Sequence, residues 1–310
     1  MNNNISPQKR ATIVSSSVAS ILVVVKLTIG IASGSVALLA SAIDSLLDTL
    51  VSILNFFAIK KAEEKADNTY QYGKGKVQAI AAVIEGTVIT LSGFYIMYVS
   101  MNKGLNNSEV SLLMPSIIVM LFSIVITYFL VNYLLKIAKE TDNIVIKADA
   151  LHYKTDLWSN GVILLALILV YITGLDIIDA IFGFFIGIYI IYSAYEIIEE
   201  GIEILLDKAL EDEILESIQN IIISEKEITS YHWLKTRTDG TTNFVEFHMV
   251  LRPNILLLEA HRIADQIEDK IISLQKNRRW VITPHFDPYD DEEINEAMLH
   301  GKSILEIERR

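Results

Sequence analysis

Apolar residues in the first two-thirds of the chain come in runs too long for most globular core helices. They fall at about 11–33, 37–59, 77–102, 110–138, 144–172 and 176–199. A helix rises 1.5 Å per residue, so about 20 apolar residues cross the hydrocarbon of a bilayer. The pattern predicts six transmembrane helices. After about residue 205 the periodicity changes. ILESIQNIII has the apolar spacing of a helix, and YHWLKTRTDGTTNFVEFHMVL reads as two strands joined at Asp239-Gly240, a hairpin signal. LLLEAHRIADQIEDKIISLQ returns to helical spacing, and RWVITPHFD is a short strand. The order αββαβ implies a small sheet with helices on one face, an α+β domain of ferredoxin-like type. The expected organisation is a six-helix membrane domain over 1–206, an α+β domain over 207–289 and an acidic tail over 290–310.

Charge fixes an expected orientation. The N-terminus carries Lys9 and Arg10, the second connection Lys60, Lys61, Lys65, Lys74 and Lys76, and the fourth Lys136, Lys139 and Lys147. The opposite connections offer Lys103. Basic residues are retained on the cytoplasmic side, so both termini and the α+β domain are expected there, in a multi-pass protein of the inner (plasma) membrane. The N-terminus, MNNNISPQKRATIV, does not read as a cleaved signal peptide, because it lacks a short apolar core ending in small residues. Residues 207–310 hold 21 Asp and Glu against 13 Lys and Arg, which argues against a nucleic-acid partner and suits cations. With no cysteine, a metal can be held only by histidine, carboxylate or backbone oxygen.

The chemistry lies inside two of the apolar runs. The second contains Asp44 and Asp48, and the fifth contains His152 and Asp156. Each i, i+4 spacing puts both side chains on one helix face, one turn apart. A carboxylate at bilayer depth costs about 2.5–3.5 kcal/mol on insertion scales, so such residues face a bundle interior and mark an ion pathway. A shared dication makes three carboxylates tolerable together, and one imidazole nitrogen with three carboxylate oxygens suits tetrahedral Zn²⁺. An oxygen-only site would lean towards Mg²⁺ or Mn²⁺; His152 moves the preference to Zn²⁺ or Fe²⁺, with Cd²⁺ also accommodated. Lys26 in the first run reads as a snorkelling or paired lysine. Glu85 in the third run is a weak candidate, placed near a cytoplasmic vestibule.

These stretches carry a resemblance. SGSVALLASAIDSLLD, YGKGKVQAIAA and KADALHYKTDLWSN resemble the signature segments of the cation diffusion facilitators, in particular their bacterial zinc, cadmium and ferrous-iron efflux branch. The similarity runs from about residue 10 to 289. It implies a homodimeric, proton-coupled antiporter with a cytoplasmic metal-binding domain. It also implies that Asp44, Asp48, His152 and Asp156 form the transport site, and that Lys76 and Asp207 form a charge pair tying protomers together near the membrane surface. His232, His248, His261, His285 and Asp287 are implied as ligands of a two-zinc site. The strand pattern supports that last set independently, since His248 shares a face with Glu246 and His285 with Asp287. His300 has no such context. One departure stands out: members of this branch often bind a further metal between the second and third spans through an aspartate and two histidines. Here Asp67 is kept, but Tyr70 and Lys74 stand at the histidine positions, so that site is expected to be absent.

The expected activity is export of divalent cations, zinc foremost, by alternating access with proton exchange. Ligands must lose protons to bind metal, so metal entry releases protons and proton entry releases metal. The alternative is a membrane metal sensor signalling through its cytoplasmic domain, which would not need ligands at bilayer depth. An intramembrane metalloenzyme would keep one metal position open for water and bring a separate base. No such base accompanies these four residues, so an enzyme is not expected.

Overall fold

In the computed structural model, residues 6–33, 36–106, 113–173, 177–276 and 278–290 are described. The chain divides into two units, Met1–Leu205 and Leu206–Arg310.

The first unit holds six long helices among the described residues: α1 (Pro7–Ser33), α2 (Val36–Ala62), α3 (Val77–Asn106), α4 (Leu113–Thr141), α5 (Ile144–Thr173) and α6 (Ile177–Leu205). Three of them, over Pro7–Thr28, Val77–Asn102 and Leu121–Thr141, are long and apolar enough to cross a membrane by length and composition. The expectation was six such spans; the other three run over residues whose side chains lie outside the described ones.

The residue distribution inverts that of a water-soluble bundle. Large apolar side chains such as Phe57, Leu91, Phe94, Tyr98 and Phe129 point outward. The interior holds many small and polar residues, among them Ala58, Ala79, Ala82, Ala148, Ser15, Ser52 and Asn55, beside larger ones such as Ile59, Leu134 and Ile190. Small residues let helix backbones approach closely where the outer solvent is as apolar as the core. Helices α3 and α6 show this most clearly. A Cβ added at Gly187 would lie 2.9 Å from the Gly93 carbonyl oxygen and collide with the Met97 side chain. The start of α5 is capped by Asn143, whose Oδ1 accepts the N–H groups of Val145 and Ile146 while its amide donates to Gln78 at 2.9 Å.

The second unit has the order α7 (Asp212–Ile223), β1 (Ile228–Thr238), β2 (Thr242–Leu251), α8 (Leu257–Leu274) and β3 (Arg279–Asp287). The sheet order is β1-β2-β3, antiparallel between β1 and β2 and parallel between β2 and β3. The hairpin turns at Asp239-Gly240, as the sequence predicts. Asp239 Oδ1 accepts the N–H groups of Thr241 and Thr242, and Gly240 takes the left-handed φ of 91° that the turn requires. Val245, Phe247, Met249 and Leu251 on β2 pack with Ile218 and Ile222 of α7 and Ile263, Ile267 and Ile271 of α8. One sheet face is thereby covered by helices. Residues 291–310, including His300 and nearly all of the acidic tail, lie outside the described residues.

Candidate metal centres

Helices α2 and α5 bring the two intramembrane pairs together. His152 Nε2 stands 2.9 Å from Asp48 Oδ1 and 3.8 Å from Asp156 Oδ2. One ligand atom from each of Asp48, His152 and Asp156 falls within 4.8 Å of the others. His152 is nearly buried while Asp156 is the most open of the three. The i, i+4 spacing on α5 aims imidazole and carboxylate at the same face of α2. Asp44 lies one turn before Asp48 on α2, and its side chain is outside the described residues. The arrangement can hold either a proton between Nε2 and Oδ1 or a metal ion in that place, since the same lone pairs serve both.

Lys26 is buried in the bundle and donates to Ser45 Oγ at 2.8 Å, so of the two expectations for it the paired one holds. Glu85 is also buried, accepting from Asn55 Nδ2 at 2.9 Å. It belongs to the bundle interior rather than to a solvated vestibule. Asn55 links it to Asp149, which Ser52 also approaches, and none of these three was singled out from the sequence. Their trace was there to find: each is a polar residue inside an apolar run.

In the second unit the sheet register sets three histidines in one row. His232 pairs with His248 across β1 and β2, and His248 with His285 across β2 and β3. Ring centroids are 5.0 Å apart for the first pair and 4.4 Å for the second. Asp287 sits among all three, with Oδ2 2.9 Å from His248 Nδ1 and 3.6 Å from His232 Nε2, and Oδ1 3.2 Å from His285 Nε2. Ligand atoms of His232, His248 and Asp287 lie within 4.8 Å of one another. The row occupies the sheet face opposite α7 and α8. A bulge in β1 between His232 and Lys235 puts Trp233 at φ 57°, with its ring 5.0 Å from that of His248. Bulges of this kind re-aim side chains next to functional sites. Two imidazole nitrogens and a carboxylate oxygen are a donor set that fits zinc or a similar borderline dication.

His261 does not join this group. It is exposed on α8 with Asp265 as neighbour at 3.8 Å, because α8 packs on the other sheet face. A two-zinc site that includes His261 is therefore not assembled by these residues within one chain. Asp290, a residue the sequence reading did not single out, instead approaches His232 Nδ1 at 3.6 Å. Lys76 donates to the Leu205 carbonyl at 3.1 Å, and Asp207 accepts from Arg237 at 3.3 Å.

The connection between α2 and α3 shows what replaces the histidines at Tyr70 and Lys74. The Lys74 ammonium lies 2.9 Å from Asp67 Oδ2 and 3.0 Å from Glu64 Oε2, and 4.9 Å from the centre of the Tyr70 ring. The Tyr70 backbone N–H, then Lys74, then the Thr69 N–H hold the Asp67 carboxyl down at about 2. Both carboxylates keep the Lys74 ammonium above its ordinary range, Asp67 more than Glu64. A tethered cation fills the carboxylate pocket.

Comparison with known proteins accounts for both units. Residues 12–206 match the family model described as the cation efflux transmembrane domain, and residues 210–289 match that of the cation efflux protein, cytoplasmic domain. The cation-efflux pump FieF of Escherichia fergusonii is 33% identical over 263 residues, covering 85% of this chain and 87% of that protein. The FieF pumps of Citrobacter koseri and of Escherichia coli K12 match with the same identity and coverage.

Proposed function

This chain belongs to the cation efflux family, a family of transporters and not of enzymes, and from that premise we propose that it exports divalent metal ions, zinc foremost, in exchange for protons. The observation that carries the reading is the 2.9 Å contact between His152 Nε2 and Asp48 Oδ1, with Asp156 beside it. The atoms that share a proton are the atoms that would bind the cation, so the site holds one or the other. Exposing it alternately to the two sides couples an inward proton gradient to outward metal movement. The family resemblance would add Asp44, one turn before Asp48 on α2, as the fourth ligand of a tetrahedral set. The imidazole supports Zn²⁺ over Mg²⁺, with Fe²⁺ and Cd²⁺ as further cargo.

The six long helices of the first unit are read as six crossings of the inner membrane. The basic residues of the N-terminus and of the second and fourth connections support cytoplasmic termini. The domain organisation proposed is a membrane domain over 1–206, a cytoplasmic domain over 207–289 and a tail over 290–310. In the cytoplasmic domain, His232, His248 and Asp287 would hold a resident metal ion, with His285 as a further ligand. The ion would supply positive charge to an acidic domain, offsetting repulsion between two copies in a homodimer. His261, exposed on α8, is available to a ligand set shared with the second copy. The loop between α2 and α3 takes no metal, since Lys74 and Lys61 already neutralise Asp67 and Glu64.

The test is zinc-for-proton exchange by the full chain in proteoliposomes with an imposed pH gradient. Zinc flux that is lost in Asp156→Ala supports the proposal. A protein that binds zinc in its cytoplasmic domain and moves none across the membrane would be a sensor, and the transport reading would fall.

A further inference from the structure

Towards the C-terminal end of α2 and the N-terminal end of α5 lies a second polar cluster beside the Asp48–His152 site. Ser52 and Asn55 follow Asp48 at i+4 and i+7, Asp149 precedes His152 by three residues, and Glu85 enters from α3. Asn55 Nδ2 donates to Glu85 Oε2 at 2.9 Å and lies 3.5 Å from Asp149 Oδ1. Ser52 Oγ is 3.4 Å from the same aspartate oxygen and 3.0 Å from the Tyr153 hydroxyl. Asn55, Asp149 and Glu85 are 0%, 0% and 1% exposed. Each nevertheless keeps one oxygen without a hydrogen-bond partner: Asn55 Oδ1, Asp149 Oδ2 and Glu85 Oε1. Among the described residues no lysine or arginine forms an ion pair with either carboxylate.

The buried Ser15 hydroxyl of α1 also reaches Asp149 and His152 stands nearby, yet these three oxygens keep no partner. Buried acceptors without partners are costly, and buried carboxylates without a counter-charge more so. One shared proton would serve two carboxylate oxygens at most and leave the amide oxygen, which does not take a proton at neutral pH. The single amide of Asn55 reaches both carboxylates, so the three orphan oxygens belong to groups that meet in one place. A cation bound through oxygen would give each of these groups the partner it lacks.

We infer that Glu85, Asp149 and Asn55, with Ser52 alongside, form a second cation station that takes a divalent ion through oxygen donors alone. Its chemistry differs from that of the neighbouring site. Without an imidazole it prefers hard ions such as Mn²⁺ and holds a borderline ion such as Zn²⁺ loosely. Weak holding one turn from a tighter, nitrogen-containing site suits a place where a cation pauses before transfer. That role as an entry step rests on the transport reading and its orientation; the existence of the station does not.

Mn²⁺ is the probe, counted by electron paramagnetic resonance on the purified full chain in detergent. Glu85→Gln keeps the shape and the hydrogen bond from Asn55 while removing one charged oxygen donor. Its expected result is loss of about one bound Mn²⁺ per chain, as for a site whose hard-ion binding depends on its carboxylates. In zinc flux the same variant should show a raised KM with kcat retained. Asp149→Asn tests the same oxygen set from the other helix, so a folding failure of one variant leaves the other to decide. A Mn²⁺ count unchanged in both folded variants overturns the inference and assigns the cluster a proton or water instead. Zinc flux by the parent chain separates the two readings. If the parent transports and the variants keep all their Mn²⁺, only the station falls; if the parent is inert and the variants lose Mn²⁺, the station stands without the pump.

Discussion

Asp48→Asn gives the most searching test of the α2–α5 site, because it removes a charge while preserving shape. Asp48 has two roles in this geometry. Its Oδ1 is itself a ligand atom, and in the metal-free site it holds His152 Nε2 at 2.9 Å, preorganising the ring. Loss of an orienting partner alone costs about 10–100-fold in metal affinity. Loss of the ligand adds about as much again, so zinc binding should weaken on the order of 100–10,000-fold, about 2.7–5.4 kcal/mol at 1.36 kcal/mol per decade. Asp156 lies 3.8 Å from the imidazole and orients it less, so Asp156→Asn should fall nearer 10–100-fold. The assay is competition for zinc against a chromophoric chelator, on full-length protein carrying His232→Ala and His248→Ala to silence the cytoplasmic domain. Two results would refute the reasoning: an Asp48→Asn affinity indistinguishable from its parent, or a larger loss in Asp156→Asn than in Asp48→Asn.

In the cytoplasmic domain Asp287 touches three histidines and His285 is mostly exposed, so Asp287→Asn should weaken zinc binding by about 10–100-fold and His285→Ala by distinctly less; calorimetric titration of the full chain ranks them. The Asp67 carboxyl, held at about 2 against an ordinary 3.8, stabilises the α2–α3 connection at pH values above its ordinary pKa. That contribution disappears as pH falls from about 4 towards 2. Carboxyl-labelled NMR should place the Asp67 midpoint near 2, and Lys74→Ala should raise it only part of the way, because the Tyr70 and Thr69 N–H groups remain. Gly187→Ala should destabilise by about 1–3 kcal/mol, since the new Cβ meets the Gly93 carbonyl at 2.9 Å. Gly161→Ala, with nothing within 4 Å of its added Cβ, should be neutral or stabilising by up to about 1 kcal/mol through helix propensity. Thermal unfolding in detergent compares the two glycines, and equal shifts would contradict the packing argument.

The helices and the αββαβ order were legible in the chain because both are local. A helix repeats every 3.6 residues and a strand every two, so apolar spacing over a short window reports the element. The same locality made the Asp44/Asp48 and His152/Asp156 pairs visible, since i, i+4 places two side chains on one face whatever the helix later meets. It also exposed the Asp239-Gly240 turn and the Lys74 substitution beside Asp67.

The tertiary structure decided which faces meet, and those outcomes hang on residues far apart in sequence. Nothing within α2 says that Asp48 faces His152, 104 positions away, rather than lipid. Register between non-consecutive strands put His285 beside His248, while the packing of α8 on the opposite sheet face carried His261 away from them. The same holds for Asn55 bridging Glu85 and Asp149 from three different helices. Long-range proximity comes from many small packing terms that are summed only when the bundle closes, and no short stretch of chain contains that sum.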